Sequence, residues 1–237
     1  MNAKTPIPRL TDTTKPPARN HRINPLKEER PDLWKSSFIV PLHKSGNKSE
    51  ISNYRGICKL SALPKLFEEV IVTQVSFNIE KYISPYQHGF LKGKSTTTNL
   101  LVFVAHVIEG FSNGLSTDTI YTDSKKAFDY VNHLLMVFKS RQFGFSDRWF
   151  LWLESYLSNR TQRVVFKNNI SREILVTSGV PQGSHLGPLL FLIFINDLPT
   201  VIQNSRILLF ADDVKLFYSF STDCAPLQND LNNLAKW

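Results

Sequence analysis

Two adjacent carboxylates, Asp212 and Asp213, lie between the apolar runs Arg206-Ile207-Leu208-Leu209-Phe210-Ala211 and Val214-Lys215-Leu216-Phe217-Tyr218, and a third, Asp123, closes another apolar run. Both flanking runs are rich in β-formers and are separated only by the aspartates, the pattern of a hairpin with an acidic tip. Like charges in a tight turn repel and raise each other's pKa, a cost that a bound cation turns into attraction. Carboxylate oxygens suit a hard ion such as Mg²⁺, which keeps several waters and takes further ligands from phosphates. Two such ions about 3.5–4 Å apart can activate an attacking oxygen and stabilise the leaving oxygen of an in-line displacement. The residues alone thus point to a divalent-metal site for phosphoryl transfer, with a plain solvated Asp-Asp turn as the alternative.

The elements that must position these groups form a mixed α+β pattern. A strand is predicted over 119–123 and a hairpin over 206–220. Apolar positions 63, 66, 67, 70, 71, 75, 79 and 82 mark an amphipathic helix over 63–82 with Ser61 as its N-cap. Positions 100, 101, 104, 108 and 111 mark a second helix over 96–111. Further helices are predicted near 131–141, 147–158 and 186–196, strands near 161–166 and 172–177, and a last amphipathic helix over 225–237. Residues 1–33, with five prolines by Pro25 and little apolar periodicity, read as flexible or poorly packed.

At 237 residues, 42% hydrophobic and 20% charged, the chain can bury a sizeable core in one or two units. A net charge of +8 favours a polyanionic partner. Residues 1–60 hold 12 Lys and Arg against 5 Asp and Glu, a difference of +7, so nearly all the excess precedes residue 61. Cys58 and Cys224 are widely spaced and lack a Cys/His ligand pattern, so neither a disulfide framework nor a zinc site is indicated and a reducing intracellular compartment is the default. The longest lipid-like run, residues 189–195, is far short of a membrane span, and no secretory signal opens the chain.

Asn53-Tyr54-Arg55-Gly56-Ile57, Gln87-His88-Gly89-Phe90, Tyr121-Thr122-Asp123 with Lys126-Ala127-Phe128-Asp129, Gly179-Val180-Pro181-Gln182-Gly183-Ser184 and Phe210-Ala211-Asp212-Asp213 stand in one order, and with their flanking blocks over residues 34–237 they resemble the reverse transcriptase of non-long-terminal-repeat (LINE-type, jockey-like) retrotransposons. Trp34-Lys35, Ile39-Val40-Pro41-Leu42-His43-Lys44-Ser45-Gly46 and Asn53-Tyr54-Arg55-Gly56-Ile57 are similar to its fingers segment. Gln87-His88-Gly89-Phe90 with Gly93-Lys94-Ser95-Thr96 and Asn99-Leu100-Leu101 are similar to the next block. Tyr121-Thr122-Asp123 with Lys126-Ala127-Phe128-Asp129 resembles polymerase motif A. Gly179-Val180-Pro181-Gln182-Gly183-Ser184, continuing to Asn196-Asp197-Leu198-Pro199, resembles motif B, and Phe210-Ala211-Asp212-Asp213 falls where motif C belongs.

The resemblance implies a right-hand polymerase: fingers over 34–118, a palm over 119–224 built as an antiparallel sheet with helices on one face, and the start of a thumb-proximal helix over 225–237, the thumb itself being absent. It implies RNA-directed DNA synthesis, joining a primer 3′-hydroxyl to a deoxynucleoside triphosphate with two Mg²⁺ ions, or Mn²⁺ in their place. Asp123 and Asp212 would be principal metal ligands, Asp213 would complete the cluster, and the Ser124 carbonyl would add a ligand. Lys44 and Arg55 would meet the triphosphate as point charge and bidentate fork. Phe128 would collide with a ribose 2′-hydroxyl, and Gln182 and Gly183 would shape the nucleotide and template pocket. Surface cations, a core phenylalanine and a plain turn are the ordinary readings of these same residues. An RNA template, a DNA primer, deoxynucleotides and the rest of an element's polyprotein would be the partners, with no membrane, and the nucleus would be the site of action.

Departures fall at motif A, where Ser124-Lys125 replace the usual Phe-Ser, at Gly56 in place of proline, and at His185 in place of a small apolar residue. They keep a second reading open, a catalytically inactive, truncated nucleic-acid-binding remnant. A polymerase of ribonucleotides is the third reading, against which Phe128 and the Phe-Ala-Asp-Asp form argue.

Overall fold

The computed structural model describes residues 34–124 and 126–237. The readings of residues 1–33 and of Lys125 lie outside the described residues.

Two sheets organise the chain. In the first, β1 (Ser36–His43) and β2 (Tyr54–Lys59) form an antiparallel hairpin, and β1 also runs parallel to β4 (Arg160–Phe166), pairing Ser36 with Thr161 and Ile39 with Val164. β4 then carries the short strands β5 (Asn169–Ile170) and β6 (Ile174–Val176). In the second, β8 (Asp213–Phe220) is central, with β3 (Ser116–Asp123) on one side and β7 (Arg206–Phe210) on the other, all antiparallel.

The helices are α1 (Ala62–Ile79), α2 (Thr96–Ser112), α3 (His133–Ser140), α4 (Asp147–Leu157), α5 (Leu186–Ile195) and α6 (Ala225–Lys236). The sequence of α5 is apolar on every side, and the helix is accordingly buried on every side, the condition under which such a helix is stable in water. Leu190, Leu153, Met136 and Tyr156 from α5, α4 and α3 form the centre of the core with Leu209 and Leu216 of the second sheet. The alternate residues of that sheet face the other way: Phe217 packs edge-on against Phe103 and His106 of α2. Helices therefore cover both faces of this sheet, where the sequence places them on one.

Two helical faces differ from their periodicity. On α1 the buried stripe runs Pro64, Glu68, Ile71, Val75 and Ile79, while Leu63, Leu66 and Val70 are exposed. The rotation buries the Glu68 carboxylate, which accepts the Tyr156 hydroxyl at 2.9 Å and the His185 amide at 3.1 Å. On α2 the predicted apolar stripe, residues 100, 101, 104, 108 and 111, is 40 to 68% exposed. The helix instead packs through Asn99, Phe103, His106 and Gly110, where small and polar residues permit a close, hydrogen-bonded approach beside the Phe103–Phe217 contact: a Cβ on Gly110 would lie 3.0 Å from the hydroxyls of both Thr117 and Ser219. Ser61 occupies the predicted N-cap position of α1 but makes no side-chain cap bond.

Candidate nucleotidyl-transfer site

The register of the second sheet brings the acidic residues together. Asp123 ends β3 directly opposite Asp213, which begins β8, and Asp212 lies in the two-residue turn joining β7 to β8. Burial raises the Asp213 pKa, and the negative charges of Asp212 and Asp123 raise it further, so the three carboxylates feel one another; the Lys44 ammonium pulls in the opposite direction. Lys44 follows β1, its amide bonded to the Asn53 carbonyl at 2.9 Å, and the hairpin thus delivers one of the two predicted phosphate-binding cations to the acidic turn. Arg55 lies exposed on β2 opposite Leu42.

All the donors here are carboxylate oxygens, the ligand type a hard divalent cation takes. Among the described residues no group of three or more Asp, Glu, His or Cys side chains converges to cage an ion. An ion of the Mg²⁺ kind does not need a cage, since one or two carboxylates hold it and water and substrate phosphates fill its other positions. The Asp123–Asp213 pair with Asp212 beside it fits that requirement. The Ser124 carbonyl already accepts the Ala127 amide at 3.2 Å, leaving one lone-pair direction for a further partner.

The motif B loop is tied to both neighbours. The Val180 amide donates to the Phe128 carbonyl and the Gly179 amide to the Val131 carbonyl, each at 2.8 Å, which fixes the segment after Asp123. The Gln182 carbonyl accepts the Cys58 amide of β2 at 2.7 Å, which fixes the loop to the first sheet. Gly183, at φ +100°, must be glycine twice over: a side chain would be strained there, and its Cβ would lie 2.9 Å from the Cys58 carbonyl. Phe128 stacks on Phe191 at 4.3 Å and meets Phe90 edge-on at 6.2 Å, half-buried at the rim of the core.

Residues that the sequence reading passed over also converge here. The Gln182 amide donates to the Asp129 carboxylate at 3.3 Å; burial raises the Asp129 pKa, opposed by the Lys126 charge and by this hydrogen bond. A cavity of about 320 Å³ opens between β1, β2, β4 and the motif B loop, lined in part by Ser37, Asp129, Arg160, Gln162 and Gln182. Arg160 is 2% exposed, its guanidinium over the Tyr156 ring, and its Nη1 makes no hydrogen bond among the described residues. Its signal in the sequence was slight, a lone arginine just ahead of the strand predicted near 161–166; in the structure it opens β4 opposite Val176 of β6.

Residues 42–237 match the family described as reverse transcriptase (RNA-dependent DNA polymerase). The "Probable RNA-directed DNA polymerase from transposon BS" of Drosophila melanogaster is 34% identical over 221 residues, 87% of this chain and 24% of that protein. The RNA-directed DNA polymerase from mobile element jockey of the same fly is 29% identical over 208 residues, 86% of this chain and 22% of that protein. The chain thus spans about a quarter of the length of these curated relatives. Among solved structures, apo telomerase from Candida tropicalis truncated from its C-terminal domain superposes over 86% of this chain and 47% of its own with a TM-score of 0.62 at 13% identity, a likeness of fold, that of the right-hand polymerases. With the ordered motifs, the sheet register and these matches in agreement, the chain belongs to the reverse transcriptase family, among the polymerases of non-long-terminal-repeat retrotransposons.

Proposed function

We propose that this chain is the fingers–palm part of an RNA-directed DNA polymerase that joins deoxynucleotides to a primer 3′-hydroxyl on an RNA template. The observation that carries the reading is the β3–β8 register, which sets Asp123 against Asp213 with Asp212 in the adjoining turn. Asp123 and Asp212 are the principal metal-holding groups, and Asp213 and the Ser124 carbonyl complete the set. Two divalent ions, Mg²⁺ or Mn²⁺, when bound there, supply activation of the hydroxyl and neutralisation of charge on the departing pyrophosphate.

The chain's own groups position the reactants. Lys44, already in electrostatic reach of the acidic turn, and Arg55 on the same hairpin meet the triphosphate. Phe128, backed by Phe191, cannot retreat into the core without displacing a stacked ring, so it walls off the sugar 2′ position and selects deoxynucleotides. Gln182 and Gly183 form the floor under the nucleotide and the template base. Fingers over 34–118, palm over 119–224 and a thumb-proximal helix over 225–237 are the division that follows, with primer, template and the remaining polyprotein as partners and the nucleus as the place of action. Among the described residues no helix is long and apolar enough to cross a membrane.

A second reading, a nucleic-acid-binding remnant without turnover, is favoured by the Ser124-Lys125 departure in motif A beside Asp123. Primer extension on an RNA template with Mg²⁺ and deoxynucleotides separates the two. Extension by the wild-type chain that disappears in Asp123→Ala and Asp212→Ala at matched folding supports the polymerase. Duplex binding without extension in all three proteins supports the remnant.

A further inference from the structure

We infer that Gln87 is the positioning residue of the acidic turn, holding the Ala211 backbone so that Asp212 and Asp213 stay in place; this rests on the polymerase reading above. The turn between β7 and β8 requires a left-handed residue, and Ala211 supplies it at φ +57°. Two-residue hairpin turns ordinarily place glycine or asparagine at such a position, because a Cβ disfavours it. Alanine here must be held from outside.

The Gln87 side chain does the holding. Its Oε1 accepts the Ala211 amide at 2.9 Å and the Gly89 amide at 2.7 Å, and its Nε2 donates to the Ala211 carbonyl at 3.3 Å. Both backbone groups of the strained residue thus end on one side-chain amide. Two N–H donors meeting at one atom also require that atom to be the oxygen, which fixes the orientation of the amide. Gln87 is 1% exposed, so these bonds compete with no water.

The clamp is itself anchored. Residues 86–88 run alongside β7 as a short parallel bridge: the Leu209 amide donates to the Tyr86 carbonyl and the His88 amide to the Leu209 carbonyl, each at 2.9 Å. Lys94 Nζ donates to the Gln87 carbonyl at 2.8 Å and to that of Pro85 at 2.5 Å. Gly89 is the residue that lets the clamp close, since a Cβ there would lie 2.3 Å from the Ala211 nitrogen. A carboxylate of Asp212 displaced by as little as 1 Å would lose much of its value to a transition state.

Hydrogen exchange and Mn²⁺ binding test the role without relying on turnover. In the wild-type chain the Ala211 and Gly89 amides are expected to exchange as slowly as strand amides; exchange at the rate of exposed turn amides overturns the inference with no variant needed. Gln87→Met keeps the length and removes all three bonds. It is expected to speed exchange at both amides, to weaken Mn²⁺ binding, read by the free-ion electron paramagnetic resonance signal, by about tenfold, and to lower kcat with little change in KM for the deoxynucleotide. A folded Gln87→Met that binds Mn²⁺ like wild type, while Asp212→Ala does not, overturns the inference and leaves the polymerase reading standing. If Asp212→Ala also binds Mn²⁺ like wild type, both fall.

Discussion

Replacing Asp213 by asparagine should stabilise the metal-free protein, because the residue opens β8 directly across from Asp123 and beside Asp212. Its carboxyl titrates above the ordinary value of about 3.9, pushed up by burial and then by the two neighbouring charges. The folded state therefore holds the proton more tightly than the unfolded chain. Stability falls as pH rises from the unfolded pKa through the higher folded one, and near pH 7.5 the whole penalty is present. A like-charged cross-strand pair costs about 0.2–1 kcal/mol, and solvent at this exposed strand end keeps the figure within that range. With about 2–4 °C per kcal/mol for a chain of this size, Asp213→Asn should melt roughly 0.4–4 °C higher without divalent metal. Mg²⁺ should reverse the order, since an ion at ten times its Kd adds about 1.4 kcal/mol to the protein that binds it. Thermal unfolding with and without Mg²⁺ at pH 7.5 and at pH 3 reads both effects, and the gain should vanish at pH 3, where the carboxyl is protonated in either state. In Asp123→Asn, the further change Asp213→Asn should gain less, as one of its repulsive partners has gone. A lower melting point for metal-free Asp213→Asn at pH 7.5, or an equal rise of both proteins with Mg²⁺, would refute the reasoning.

Gly179→Ala meets two obstacles at once, a φ of +87° and a Cβ only 2.8 Å from the Asp129 backbone and 2.9 Å from the Phe128 carbonyl. Left-handed strain of about 1–2 kcal/mol and overpacking of about 1–3 kcal/mol predict a loss of roughly 2–5 kcal/mol in urea unfolding; a midpoint unchanged from wild type would contradict the motif A to motif B contact. On α2, Leu101→Gln and Ile108→Gln should each change stability by no more than about 0.5 kcal/mol, whereas Leu190→Ala, at 0% exposure, should cost about 2–5 kcal/mol. A large loss from either α2 substitution would mean that the helix packs through the face its apolar pattern marks.

The sequence made the acidic hairpin legible because both signals are local: β-rich runs on either side of two aspartates, and a third at the end of a strand. α5 was equally plain, since large apolar residues occupy every face of the helix. What periodicity could not show was pairing across long separations. β1 meets β4 more than a hundred residues later, and nothing in either strand names the other. The roles of Gln87 and Asp129 were hidden for the same reason, because each acts on backbone or side chains far along the chain, and a single polar residue carries no periodic signal.

The α2 helix shows how a correct element can be read with the wrong face. Its apolar stripe satisfies the helical period, yet the side that touches the second sheet carries a single ring, Phe103, among hydrogen-bonding residues. His106 Nε2 bonds the Ser219 hydroxyl at 2.9 Å, Ser219 bonds Thr117 at 2.8 Å, and Asn99 joins the Leu209 carbonyl at 3.1 Å to the Lys215 ammonium at 3.2 Å. Apolar packing would hold α2 against the sheet without fixing its register, since dispersion and burial are non-directional. Hydrogen bonds are directional and costly to leave unmade once buried. Asn99 and the Gln87 segment both bond Leu209, two residues before Ala211, so the polar face of α2 sets the position of the strand that ends in the acidic turn. A helix chosen for burial alone would have taken its apolar stripe inward; this one turns Asn99, His106 and Phe103 toward the two strands that flank the acidic turn.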